Sequence, residues 1–166
     1  MTNRLSRTSP RTCAALVLLA CVTLALAGCF GASTKLQPPT ASIQQLTVNS
    51  DGTWAAVVRF QNYSYDTGMH VYAIDATLDL DGKPAGHVAI SPGLDIPAMD
   101  ADIATATFEP DPAGVAALAA AKRNAIRYEL KGTLSVGKGT TGKAQPFKLN
   151  GSGYISPVPG VSNIWR

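Results

Sequence analysis

The sequence predicts a mainly β domain: two antiparallel sheets packed face to face, about seven strands and one short helix. Three observations predict it. Apolar and polar residues alternate at period two through most of the chain after Ala41, turn-forming residues punctuate those runs, and a single stretch breaks the alternation with helical composition. Continuous apolar runs, which parallel sheets bury on both faces, are absent, and this disfavours a doubly wound α/β arrangement.

Each element follows in order. A weaker alternating run covers 42–48, and Ser50-Asp51-Gly52 supplies the turn after it. Trp54, Ala56, Val58 and Phe60 then form an apolar row against Ala55, Val57, Arg59 and Gln61. Ile74, Ala76, Leu78 and Leu80 alternate with Asp75, Thr77, Asp79 and Asp81, as expected of a strand with one buried and one wet face. Asp81-Gly82 closes a tight hairpin, because both residues tolerate positive φ. Weaker runs occupy 85–90 and 102–108.

Residues 111–124 read as the helix: a capping Asp111, Pro112 at the first helical position, a run of Ala and Leu, and Lys122-Arg123 at the end. Ile126, Tyr128, Leu130, Leu134 and Val136 then alternate with Arg127, Glu129, Lys131, Thr133 and Ser135, and a last run covers 145–155. Seven strands at this spacing with one crossover helix are expected to form an immunoglobulin- or fibronectin-III-like antiparallel β-sandwich without its disulfide; the chief competitor is a closed barrel.

The N-terminus carries Arg4, Arg7 and Arg11 ahead of an uncharged apolar run from about Cys13 to Ala27. This is the pattern of a cleaved signal peptide, and it is shorter than the roughly 20 apolar residues that a spanning helix needs. The run ends in Leu26-Ala27-Gly28-Cys29, which resembles the lipobox of bacterial lipoproteins. The resemblance implies cleavage after Gly28 and a diacylglycerol on the Cys29 thiol. Cys13 and Cys21 leave with the signal, so the mature chain holds one cysteine and forms no internal disulfide.

Processing also changes the charge. Three of the fourteen Lys and Arg depart, leaving eleven basic residues against eleven acidic ones. A near-neutral chain without a basic run excludes a nucleic-acid partner. The expected organisation is a signal peptide over 1–28, a lipidated tether over 29–40 rich in Gly, Ser, Thr and Pro, a sandwich over 41–156, and a tail over 157–166. Phe30 follows the cysteine, and because bacterial lipoproteins without Asp at that place usually go to the outer membrane, the expected location is there, facing the periplasm.

Three stretches invite a chemical reading. Gly137-Lys138-Gly139-Thr140-Thr141-Gly142-Lys143 has the glycine spacing of a phosphate loop. Ala144 follows where a magnesium-binding hydroxyl belongs, and Pro146 opens a strand-like run instead of a helix, so the segment is expected to be a flexible hairpin loop and no nucleotide is expected. In Thr77-Leu78-Asp79-Leu80-Asp81-Gly82 the first calcium-ligand position is Thr77 and the twelfth is Val88, where a bidentate Glu is required. His70 and His87 lack partners at metal-ligand spacing. The serines lack an identifiable base, so no cofactor, metal or catalytic residue is expected.

From about Thr40 to Ile155 the chain resembles the late-embryogenesis-abundant type 2 family and its water stress and hypersensitive response (WHy) domain. The likeness lies in the order of features: the apolar strand Trp54–Phe60 ending near Asn62, the hairpin Asp79-Leu80-Asp81-Gly82-Lys83-Pro84-Ala85, and the turn Ile96-Pro97-Ala98. The helix, Tyr128-Glu129-Leu130-Lys131-Gly132-Thr133-Leu134 and Pro146-Phe147 through Gly153 follow. The family's Asn-Pro-Asn mark is represented by Asn62 alone, with Tyr63 and Ser64 in the other places. The resemblance implies a sandwich of about seven strands with a helix and a non-enzymatic role in desiccation or other stress.

Asn62 fits a structural strand-end role, since its amide can bond nearby backbone and it tolerates left-handed φ at the turn into 63–69; the alternative is ligand contact. Tyr63, Tyr65 and Tyr72 either pack at the rim or form an exposed binding edge, and Trp165 either docks a partner or folds back over the sandwich end. The expected function is that of a membrane-anchored envelope lipoprotein that binds or shields a stress-labile client. The alternative is a scaffold lipoprotein that docks a protein through Gly137–Lys143, a strand edge or the tail.

Overall fold

A computed structural model describes residues 35–166; the signal peptide, the lipobox and Cys29 lie outside the described residues. Nine strands form two antiparallel sheets. They are β1 (Thr40–Val48), β2 (Trp54–Gln61), β3 (Met69–Leu80), β4 (Lys83–Ile90), β5 (Leu94–Ile96), β6 (Ala101–Phe108), β7 (Ile126–Lys138), β8 (Gln145–Ile155) and β9 (Ile164–Trp165), with helix α1 (Pro112–Ala121) between β6 and β7. The first sheet runs β6-β2-β1-β9; the second runs β4-β3-β7-β8, with β5 added to β3. The chain passes between sheets after β2, β5, β6 and β8, as a Greek-key sandwich requires, and the two sheets remain separate rather than closing into one barrel.

The expected apolar rows form the core. Trp54, Ala56, Val58 and Phe60 of the first sheet are buried, as are Ile74, Ala76, Leu78, Leu80, Ile126, Leu130, Leu134 and Val136 of the second. Each large side chain in this set contributes on the order of 2 kcal/mol by leaving water. Their polar neighbours point outward: Arg127, Glu129 and Lys131 form a surface ion-pair row with Asp79.

The two additional strands are the shortest, and β3 begins five residues before the alternation read from Ile74. A bulge explains the second difference. The β3–β7 register shifts between Val71 and Ala73, so Met69 and Val71 are buried out of phase with Ile74. A second bulge interrupts β1 between Ile43 and Gln45. There the Ile43 N–H finds the Tyr128 hydroxyl of the opposite sheet at 3.2 Å, which satisfies a buried donor that the bulge would orphan.

The Asp81-Gly82 hairpin turns as its composition predicts, with φ of 46° and 72° and Leu80 paired with Lys83. This is the primed two-residue turn that matches strand twist. The helix is shorter than 111–124. Asp111 stands at the N-cap position without a side-chain capping hydrogen bond, and Lys122 leaves the helix with φ of 52°, so Lys122 and Arg123 lie beyond the last turn. Gly114 is needed where α1 crosses β4: a Cβ there would lie 2.4 Å from the Ala85 Cα, so any larger residue forces helix and strand apart.

Candidate functional site

The strand directions give the sandwich two unlike ends. One end carries the crossovers 62–68 and 97–100, and the other carries α1 and the segment 156–163. The first end is organised by Asn62, which is fully buried immediately after β2. Its Nδ2 donates to the Thr67 carbonyl at 2.8 Å, the Pro97 carbonyl at 2.9 Å and, at a longer 3.3 Å, the Ile96 carbonyl. Its Oδ1 accepts the Ser64 N–H at 2.9 Å, and its own N–H donates to the Asp100 carbonyl at 2.9 Å.

One amide therefore ties both crossovers together. The expected backbone bonding is present, and Asn62 does not use the left-handed φ it could tolerate: among the described residues Asp81, Met99 and Lys122 are the non-glycine residues with positive φ. A side-chain amide that reaches carbonyls of its own crossover and of the other one needs no left-handed turn at its own Cα. Met99, at φ of 59°, absorbs the reversal instead, and its N–H donates to the Ser64 carbonyl at 3.0 Å.

Ser64 is also fully buried, and its Oγ accepts the Gln37 N–H at 2.9 Å. The chain thus enters the fold against this crossover. Tyr63 and Tyr65, on either side of Ser64, turn out to solvent at 51% and 87% exposure, and Met99 beside them is 54% exposed. The rim-packing alternative therefore fails for these two tyrosines. Tyr72 behaves differently: it is half-buried, lies edge-on to His70 and donates to the Gly142 carbonyl at 2.8 Å.

Gly137–Lys143 is the β7–β8 connection, with Gly137 and Lys138 still in β7. A strand follows it, not a helix, so the helix N-terminus that cradles phosphate is missing here. Leu78 and Leu80 of the acidic stretch point into the core, and the stretch is a strand and its hairpin.

His70 Nδ1 lies 2.7 Å from Asp95 Oδ1 across the β3–β5 pair, and His87 Nε2 lies 3.4 Å from Asp75 Oδ1 across β3–β4. Sequence spacing does not show these pairs, since the topology alone sets His70 opposite Asp95 and His87 diagonal to Asp75. Among the described residues, no three His, Cys, Asp or Glu side chains converge to hold a metal ion.

Trp165 is a correction to its reading as a partner contact. It is 6% exposed and pairs with Leu46 in β9. Segment 157–166 folds back: Val158 N–H donates to the Ile164 carbonyl, Val48 N–H to the Asn163 carbonyl, and Arg166 N–H to the Ser156 carbonyl. The indole buries more apolar area against the core than it would gain on the surface.

No family model matches the chain, and no curated protein matches it. Among solved structures, it is similar to a protein from Archaeoglobus fulgidus, with 13% identity and a TM-score of 0.38 over 75% of this chain and 100% of that one. It is also similar to AT1g01470 from Arabidopsis thaliana, with 17% identity and a TM-score of 0.43 over 74% of this chain and 79% of that one.

Proposed function

We propose that this protein is a non-enzymatic envelope lipoprotein, anchored through a lipid on Cys29, whose WHy-like sandwich contributes to desiccation or envelope stress tolerance by binding or shielding labile clients. The observation that carries the family part of this reading is the Asn62 network. Asn62 and Ile96-Pro97-Ala98 belong to separate parts of the resemblance, and the hydrogen bonds from Nδ2 to the Ile96 and Pro97 carbonyls make them one physical unit. The lipobox Leu26-Ala27-Gly28-Cys29 supports the anchor.

Two experiments test it. Palmitate labelling with globomycin-sensitive processing is expected for the wild type and lost in Cys29→Ala; labelling retained by that variant rejects the anchor. Drying labile enzymes with and without the purified mature protein tests the shielding. Preserved activity at comparable molar ratios is expected, and enzyme loss equal to that with an unrelated protein rejects the stress role. Crosslinking that recovers one stoichiometric protein partner would favour the scaffold alternative.

A further inference from the structure

The geometry points to the Tyr63–Tyr65–Met99 tip as a membrane-docking surface that touches the headgroup boundary of a zwitterionic lipid leaflet. This inference rests on the proposed lipid at Cys29. The first described hydrogen bond of the incoming chain, from Gln37 N–H to Ser64 Oγ, fixes the entry point between the two exposed tyrosines. Seven residues lie between Cys29 and Gln37, and the eight Cα–Cα steps reach at most about 28 Å even when fully extended. β2 holds the opposite turn about 26 Å further along the sandwich. The lipid therefore confines this end to within about 28 Å of the bilayer, whereas the far turn can lie up to about 54 Å from it, and the closer confinement multiplies a weak contact by effective concentration.

The chemistry of the tip suits that place. Tyrosine has an apolar body and a polar hydroxyl, the combination that partitions to membrane interfaces, and Met99 adds a flexible apolar side chain. All three are exposed although the fold has buried most of its other large apolar groups. Backbone bonds from Met99 to Ser64 and from Asn62 to Asp100 hold the two tip segments side by side. Exposed Asp66 and Asp100 flank the tip. Across this end Asp66, Asp95 and Asp100 balance Lys35, Lys138 and Lys143, so no basic excess draws it to an anionic leaflet and a neutral one suits it.

The test uses the mature lipidated protein in phosphatidylcholine–phosphatidylethanolamine vesicles. With Cys29 acylated, Tyr65→Cys and Asp51→Cys each supply one free thiol, the first at the tip and the second at the far turn, for an environment-sensitive NBD label. Doxyl-labelled lipids are expected to quench the label at position 65 at least about threefold more than at position 51. Adding phosphatidylglycerol is expected to leave that quenching unchanged; an increase would overturn the assignment to a neutral leaflet. Flotation of the protein with the vesicles reads the anchor separately. Protein that floats with equal quenching at both positions overturns the docking and leaves the anchor standing, whereas protein that fails to float overturns both.

Discussion

The two ends of this sandwich solve the same problem differently. At each end the chain crosses twice between sheets, and the crossovers must be fastened or the sheets splay. At the α1 end, main-chain bonds do the fastening: the Asp111 N–H of the β6–β7 crossover donates to the Ala85 carbonyl of β4, and the tail pairs with itself and with β1. At the end that carries crossovers 62–68 and 97–100, the carboxamide of Asn62 satisfies carbonyls from both, and Ser64 adds the entering chain. Distributed backbone pairing tolerates substitution, because changing a side chain leaves the bonds in place. Fastening by one buried side chain does not. It does free the neighbouring positions, and this is why Tyr63 and Tyr65 can stand in solvent around a rigid centre.

The sharpest way to break this comparison is Asn62→Asp. It keeps the shape but turns a donor into an acceptor facing the Thr67 and Pro97 carbonyls at full burial, and a loss of about 4 kcal/mol in urea unfolding is expected. Trp165→Ala removes the largest side chain fastened at the other end while its backbone pairing persists. The expected loss is about 3 kcal/mol, and a loss exceeding that of Asn62→Asp would reverse the contrast.

A smaller effect tests the tie between sheets. Tyr128→Phe leaves the Ile43 N–H without its partner and should cost about 1 kcal/mol at neutral pH. Burial holds the Tyr128 phenol above its ordinary value of 10.0. As pH rises, the unfolded chain gives up this proton first, so the contribution present below pH 10 is lost above it. Wild-type stability should therefore fall more steeply than that of Tyr128→Phe above about pH 10. The smallest expected effect is that of Tyr65→Ser, within about 0.5 kcal/mol of wild type in thermal unfolding. A larger loss would mean that the exposed ring is part of the fold's support.

These contrasts also mark what was legible in the sequence. Period-two alternation is a local signal, and where strands ran without interruption, as over Trp54–Phe60 and Ile126–Val136, it located both strand and buried face. Bulges break the phase. The one at Tyr72 hid Met69 and Val71 from the same count, and the two- and three-residue strands β9 and β5 are too short to show a period at all. Asn62 was marked by its place after an apolar strand. Its partners at Ile96 and Pro97 lie 34 and 35 residues away, a distance that only the topology closes. The same is true of His70 and Asp95, 25 residues apart. Trp165 carried a local ambiguity, an aromatic near a chain terminus, that the apolar core resolved by burying it.

Amide hydrogen exchange on Asn62→Ala tests the unequal fastening most directly. The account predicts that the Ser64, Met99 and Gln37 amides, all bonded within the Asn62 end, lose protection together. The Val48, Val158 and Arg166 amides at the other end should keep theirs relative to the variant's global stability. Equal loss of protection at both ends, or retained protection at Ser64 and Met99, would contradict it.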